Sequence, residues 1–161
     1  RDWGIGKQNG LLFNIPEDME YFKKTTMGKI VCMGYNTLLS LPNSKPLKAR
    51  KNIVLCPEGS ETNGATPVHS LEELFKELDK FKNQDIYVIG GAMFYKTMLP
   101  YCEEVLVTKV LSDGGAEVFF EDLNQSKDFE LIQNNGMRKS TAGYMFCFTK
   151  YKNKHPHKWE V

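Results

Sequence analysis

Pro16 is followed by Glu17, Asp18 and Glu20, three carboxylates in the opening turns of a helix that the sequence predicts over about residues 17–26. Proline suits the first helical position, because its missing N–H is a donor the helix could not satisfy anyway. Helical spacing then separates the acids. Glu20 has Lys24 four residues on, the favourable order for an exposed pair. Asp18 has Phe22 at the same offset and Met19 beside it, so it lies at the margin of the apolar stripe. A carboxylate placed there, with no cation in reach along its own helix, needs a partner from elsewhere, and a ligand donating hydrogen bonds would serve. The competing reading is that Asp18 only complements the helix macrodipole, the commoner fate of a first-turn acid.

A second candidate is Val88-Ile89-Gly90-Gly91-Ala92-Met93-Phe94-Tyr95, a buried strand running through paired glycines into a helix. The glycines let backbone approach a ligand closely and bare amide groups where phosphate is favoured. A tight strand–helix turn explains the same pair equally well. Met33-Gly34-Tyr35-Asn36-Thr37 repeats the pattern, with a hydroxyl near a helix start. Two such cradles at neighbouring strand ends suit a dinucleotide pyrophosphate. In the basic run Lys45–Lys51, Arg50 alone abuts an apolar strand, where a guanidinium could clamp a carboxylate; a solvated loop is the alternative.

These groups sit in a chain of 161 residues, 41% hydrophobic and 25% charged with a formal net charge of +1, which suits one domain. That balance gives no reason to expect nucleic acid or an acidic membrane as partner, and no apolar run approaches a transmembrane span. Cys32, Cys56, Cys102 and Cys147 lack metal-ligand spacing and read as buried free thiols of a reducing cytoplasm, with no metal expected. His69, His155 and His157 are assigned no chemistry.

Residues 1–12 read as a glycine-punctuated loop with apolar anchors. Strands are expected at 29–34, 52–55, 85–89 and 104–111, with helices at about 36–41, from the capping box Ser70-Leu71-Glu72-Glu73 onward, and at 92–99. Residues 57–66 read as a loop. Phe129–Gln133 and Tyr144–Tyr151 read as antiparallel strands. The expected domain covers residues 1–152, and the polar segment 153–161 reads as a frayed tail. Alternating strands and helices imply an α/β fold: a mostly parallel mixed sheet with helices on both faces and an antiparallel C-terminal edge. Such sheets bind ligands beyond the carboxyl ends of their strands.

Trp3-Gly4-Ile5-Gly6, Leu11–Phe22, Met33-Gly34 with Thr37, Pro46-Leu47 with Arg50–Ile53, Val88–Tyr95 and Thr108 occur in an order that resembles bacterial-type dihydrofolate reductase over about residues 2–151. The resemblance implies the three-layer sandwich of that family and the NADPH-dependent reduction of 7,8-dihydrofolate. Hydride would pass from nicotinamide C4 to pterin C6, and N5 would be protonated. Asp18 is then the catalytic carboxylate, holding the amidine edge of the pterin, with Thr108 bridging the two. Phe13, Met19, Phe22, Leu41, Leu47 and Ile89 would line the substrate, and Arg50 would grip its glutamate. Gly34, Thr37, Gly91, Ala92, Met93 and Phe94 would hold the cofactor phosphates. Ile5, Ile89 and Tyr95 would lie by the nicotinamide, and Gly6, Gly10, Leu11, Tyr35, Asn36, Leu55 and Cys56 would complete the cofactor site. Residues 4–14 would close over it. The family also carries a cis peptide between the paired glycines, here Gly90–Gly91.

The chain departs from the family pattern in several places. An apolar first strand is expected before Arg1. Tyr35 and Cys56 stand where a basic residue and a hydroxyl usually meet the cofactor 2′-phosphate, which implies a weaker preference for NADPH over NADH. Phe13 stands for a tryptophan, and Ala116-Glu117 for an aspartate that contacts the closing loop. The expected protein is a cytoplasmic monomer and a target of antifolates. The alternatives are a reductase-like binding domain without turnover and a related pterin or pyrimidine reductase.

Overall fold

The apolar run Ile30-Val31-Cys32-Met33 is buried at every side chain, as a strand covered on both faces must be. The computed structural model describes residues 15–111 and 122–159 with their side chains, and only the backbone of Gly4–Lys7, Gly10–Leu11 and Val118–Phe119. In chain order the first half contains β1 (Gly4–Lys7), β2 (Gly10–Leu11), α1 (Pro16–Thr26), β3 (Ile30–Gly34), α2 (Tyr35–Ser40), β4 (Lys51–Leu55), β5 (Thr66–Val68) and α3 (Leu71–Asp79). Then follow β6 (Ile86–Val88), α4 (Ala92–Met98), β7 (Glu104–Val110), β8 (Val118–Phe119), β9 (Phe129–Asn134), β10 (Arg138–Lys139) and β11 (Met145–Asn153). The chain forms two compact units, the first Arg1–Phe22 with Met98–Lys158, the second Lys23–Thr97 with Trp159–Val161.

The second unit is a parallel sheet in the order β5-β4-β3-β6, with Cys32 opposite Ile53 on one side and Val88 on the other. Val31, Met33, Leu38, Val54, Cys56 and Ala65 form one buried cluster in it, and Cys32, Ile53, Leu74 and Leu78 are buried as well. Strand β5 lies within and just beyond a stretch whose composition reads as loop. Its Pro67 is tolerated because β5 is an edge strand, where a missing N–H need break no ladder. Ser70 caps α3 by accepting from the Glu73 amide at 3.1 Å. The reciprocal arm differs from a standard capping box: Glu73 Oε2 accepts from the His69 amide at 3.1 Å. Ser70→Ala is expected to cost about 1 kcal/mol of stability, read as a shift of the urea midpoint at constant slope.

In the first unit β11 pairs antiparallel with β7 from Phe146 to Lys152, and with β9 and β10 on its other side. The backbone of β1 pairs antiparallel with β2 and β8, so part of the segment read as loop is extended pairing. Leu99, Leu123, Phe129 and Tyr151 form one buried cluster, and Ile15, Phe146 and Phe148 another. Residues 153–157 of the polar segment are held by hydrogen bonds rather than frayed. Asn153 is buried and its amide donates to the carbonyls of Cys102 (2.9 Å) and Pro100 (3.3 Å). The amides of Lys154 and His157 donate to Asp128 and Pro100, both at 2.8 Å. Composition predicts fraying from low apolar content; backbone hydrogen bonds decide otherwise.

Candidate active site

Ile15 anchors the candidate site of the first unit. It is buried with Phe146 and Phe148, and its carbonyl accepts the first helical bonds from Asp18 and Met19, each 3.1 Å. The apolar anchor therefore seats the opening turn of α1 on the antiparallel sheet. Asp18, half-buried on that turn, accepts from the Thr108 hydroxyl at 2.6 Å. Thr108 belongs to β7, opposite Phe148 of β11, so its direction is fixed by the strand ladder. Burial pushes the Asp18 carboxyl above the ordinary aspartate range, and the Thr108 hydroxyl offsets this in part. Among the described residues no cation pairs with Asp18. A carboxylate with one neutral donor and a desolvated setting is poised to gain from a ligand that donates to it. The macrodipole reading alone leaves the Thr108 contact unexplained. Of the expected apolar lining on this helix, Met19 is exposed and Phe22 half-buried.

In the second unit the strand ends gather the glycines. The Gly34 amide donates to the Gly90 carbonyl at 2.9 Å, and the Tyr95 amide to that of Gly91 at 2.8 Å. The Gly90–Gly91 peptide is cis. Gly90 has φ +135°, and a Cβ there would stand 3.1 Å from Thr37 Oγ1; one on Gly91 would stand 3.3 Å from the same atom. Gly34, Thr37, Gly90, Gly91 and Tyr95 are thus brought together in a cradle that a side chain would fill. Phe94 is buried behind it, Ala92 is half-buried and Met93 points outward, 79% exposed.

Leu41, Leu47, Tyr35 and Ile89 pack against the core of this unit, and Leu55 is half-buried at the end of β4. Tyr35 donates its hydroxyl to the Glu61 carbonyl at 3.0 Å, and Asn36 is exposed. Arg50 is half-buried, with burial pulling its pKa below the usual arginine value. Its loop is held by Asn52, whose side chain accepts from Leu47 N (3.0 Å) and donates to Leu47 O (2.9 Å) and Arg50 O (3.0 Å). Asn52 is a positioning residue that the sequence marks only as the first residue of the strand expected at 52–55.

Two other features are absent from the expected site. His69 follows β5 and sets Nδ1 2.8 Å from the Cys56 carbonyl, at the end of β4. Glu17 accepts two long-range hydrogen bonds, from Ser140 and Thr141. Phe13 lies outside the described residues, as do Ala116 and Glu117, and for Ile5, Gly6, Gly10 and Leu11 only the backbone is described. All four cysteines are free, and burial pushes the Cys102 thiol up to about 11, an inert state.

A family model described as dihydrofolate reductase matches residues 1–153. The chain belongs to the dihydrofolate reductase family. Relatives include the dihydrofolate reductase of Bacillus subtilis (strain 168), 33% identical over 157 residues, 96% of this chain and 90% of that one. The dihydrofolate reductase of Neisseria gonorrhoeae is 32% identical over 156 residues, covering 93% of this chain and 91% of its own. Among solved structures, a dihydrofolate reductase from Enterococcus faecalis complexed with NADP(H) and RAB-propyl superposes with a TM-score of 0.84 at 23% identity. It covers 94% of this chain and 89% of the other, and establishes the shared α/β fold. Membership of the dihydrofolate reductase family favours the reductase over the binding-only alternative.

Proposed function

We propose that this chain reduces 7,8-dihydrofolate to 5,6,7,8-tetrahydrofolate with NADPH, and that Asp18 is its catalytic carboxylate. The observation that carries the reading is the Asp18–Thr108 hydrogen bond at 2.6 Å, joining residues 90 apart in sequence on a desolvated helix turn. A pterin presents a ring N–H and an exocyclic amino group side by side, two donors that match one carboxylate. Holding that edge, Asp18 orients the ring and favours protonation at N5, with the proton drawn from water. Thr108 fixes the carboxylate rotamer and reaches the same edge of the ligand. By resemblance to the family, Phe13, Met19, Phe22, Leu41 and Leu47 would line the substrate. Arg50 grips its α-carboxylate from the loop that Asn52 holds.

The second unit fits the cofactor, since the glycine cradle beside Thr37 is open only because Gly90 and Gly91 lack side chains. Gly34, Thr37, Gly91, Ala92, Met93 and Phe94 would hold its phosphates. Tyr35, Asn36, Leu55 and Cys56 would complete the cofactor site, and by the family resemblance Ile5, Ile89 and Tyr95 would lie by the nicotinamide. Gly6, Gly10 and Leu11 belong to the closing segment. When bound, the cofactor supplies hydride from nicotinamide C4 to pterin C6. Free thiols and a near-neutral charge fit a cytoplasmic enzyme, and we assign it as a monomer and an antifolate target.

The test follows reduced-nicotinamide absorbance in the purified chain with NADPH and dihydrofolate. Dihydrofolate-dependent oxidation is expected; NADPH binding without turnover would reject the assignment. Arg50→Ala is expected to raise KM for dihydrofolate roughly tenfold to a hundredfold, the worth of a charge-assisted pair. A pterin substrate lacking the glutamate should be little affected. Equal losses on both substrates would remove Arg50 from the glutamate site.

A further inference from the structure

We propose that Glu17 is a positioning residue, whose two-point grip on the turn between β10 and β11 fixes the rotation of α1 and so the direction of the Asp18 carboxylate. The inference rests on the reading of Asp18 given above. Glu17 uses both carboxylate oxygens. Oε1 accepts from the Ser140 hydroxyl at 2.8 Å, and Oε2 from the Thr141 amide at 3.0 Å. These partners lie 123 and 124 residues away in sequence, so the grip closes a long loop rather than capping the helix locally.

The receiving turn is itself tightly made. Ser140 is buried, its amide donates to the Tyr144 carbonyl at 2.7 Å, and its own carbonyl accepts from Gly143 at 2.9 Å. Its hydroxyl also accepts from the Ala142 amide at 3.0 Å, which leaves the hydroxyl proton to point at Glu17. Both neighbours at the helix start are thus tied to the antiparallel sheet, Asp18 to β7 and Glu17 to the turn that opens β11. Consecutive helical residues project about 100° apart, so two ties in different directions stop the first turn from rolling about its axis. The hydrogen bonds from Thr141 and Ser140 also hold the Glu17 carboxyl below the ordinary glutamate range, so it stays an acceptor while burial raises its neighbour.

The geometry separates hydrogen bonding from charge. In Glu17→Gln the amide oxygen can accept from Thr141 and the amide nitrogen can donate to Ser140 Oγ, which has accepting capacity; Glu17→Ala removes both bonds. Expected for Glu17→Ala is a kcat/KM for dihydrofolate lower by roughly tenfold to a hundredfold, carried mainly by KM, as for a small misplacement of a reacting group. The NADPH Kd should stay put, and Glu17→Gln should recover most of the loss. Ser140→Ala, which keeps the Thr141 bond, should show a partial loss of the same kind and serves if Glu17→Ala does not fold.

Carbon-13 NMR titration of the Asp18 carboxyl needs no substrate, so it reads the grip even if dihydrofolate is not turned over. It should move toward the ordinary aspartate value in Glu17→Ala and return in Glu17→Gln. Kinetics and titration of Glu17→Ala like those of the parent would overturn the proposal. So would Gln and Ala variants falling together, which would make the effect one of charge, or a parallel loss of NADPH affinity, which would make it global.

Discussion

Asp18→Asn should lower kcat at neutral pH by roughly a hundredfold to ten-thousandfold, the range for loss of a positioned acid–base group, with the NADPH Kd unchanged. Asparagine keeps an oxygen for the Thr108 hydroxyl, so the turn of α1 stays seated on the antiparallel sheet. What it loses is the negative charge that pairs with the pterin edge and favours its protonation. Stability should move the other way. The folded Asp18 carboxyl lies above its unfolded value, so its ionisation costs stability, and that cost sets in as pH rises from the unfolded pKa through the folded one. Asp18→Asn should therefore raise Tm at pH 7, with the difference vanishing in acid below both pKa values. Gain of stability with loss of rate is the pattern of a group retained for chemistry. A variant that kept its turnover at neutral pH would take the catalytic role away from Asp18.

Gly90→Ala should lower Tm, since left-handed strain costs about 1–3 kcal/mol in a non-glycine residue, and should also weaken NADPH binding by roughly tenfold to a hundredfold. At φ +135° the added Cβ also meets Thr37 Oγ1 at 3.1 Å, the hydroxyl assigned to the cofactor phosphates. Strain and steric conflict thus fall on the same few atoms. Gly28→Ala is the control: φ is +74°, yet nothing lies within 4 Å of its Cβ. It should share the loss of Tm and leave the NADPH Kd alone. Isothermal titration of both variants checks the difference. Equal affinities for Gly90→Ala and Gly28→Ala would mean that the glycine pair serves only the turn.

The parts of the fold legible in the sequence are those with uniform local signals. Strands β3, β4 and β6 are apolar runs closed by glycine or proline punctuation, and α3 announces itself through Ser70 and Glu73. Strand β5 was not legible, because Thr66-Pro67-Val68 is three residues long and its pairing with β4 is a property of the sheet, not the segment. The tail misleads for a related reason: Asn153 and His157 are polar by composition but are held by partners some fifty residues earlier. Within the site, Asp18 stands out because its helix puts no cation in reach of it, and the glycines because they follow apolar strands. Thr108 has no local mark at all and entered through family resemblance. Glu17 looks like a surface acid until the 140–144 turn is brought to it. Contacts that span the chain leave no trace in spacing, and three of the site's hydrogen bonds are of that kind.

The carboxyl of Asp18 can be observed directly by carbon-13 NMR, in the free protein and with folate bound. A desolvated aspartate that exists to receive two donors from a heterocycle should titrate above the ordinary aspartate value when free. It should fall well below that free-state value once the ligand is seated, because donors to the ionised form favour it. A titration at the ordinary value in both states, indifferent to the ligand, would contradict the account.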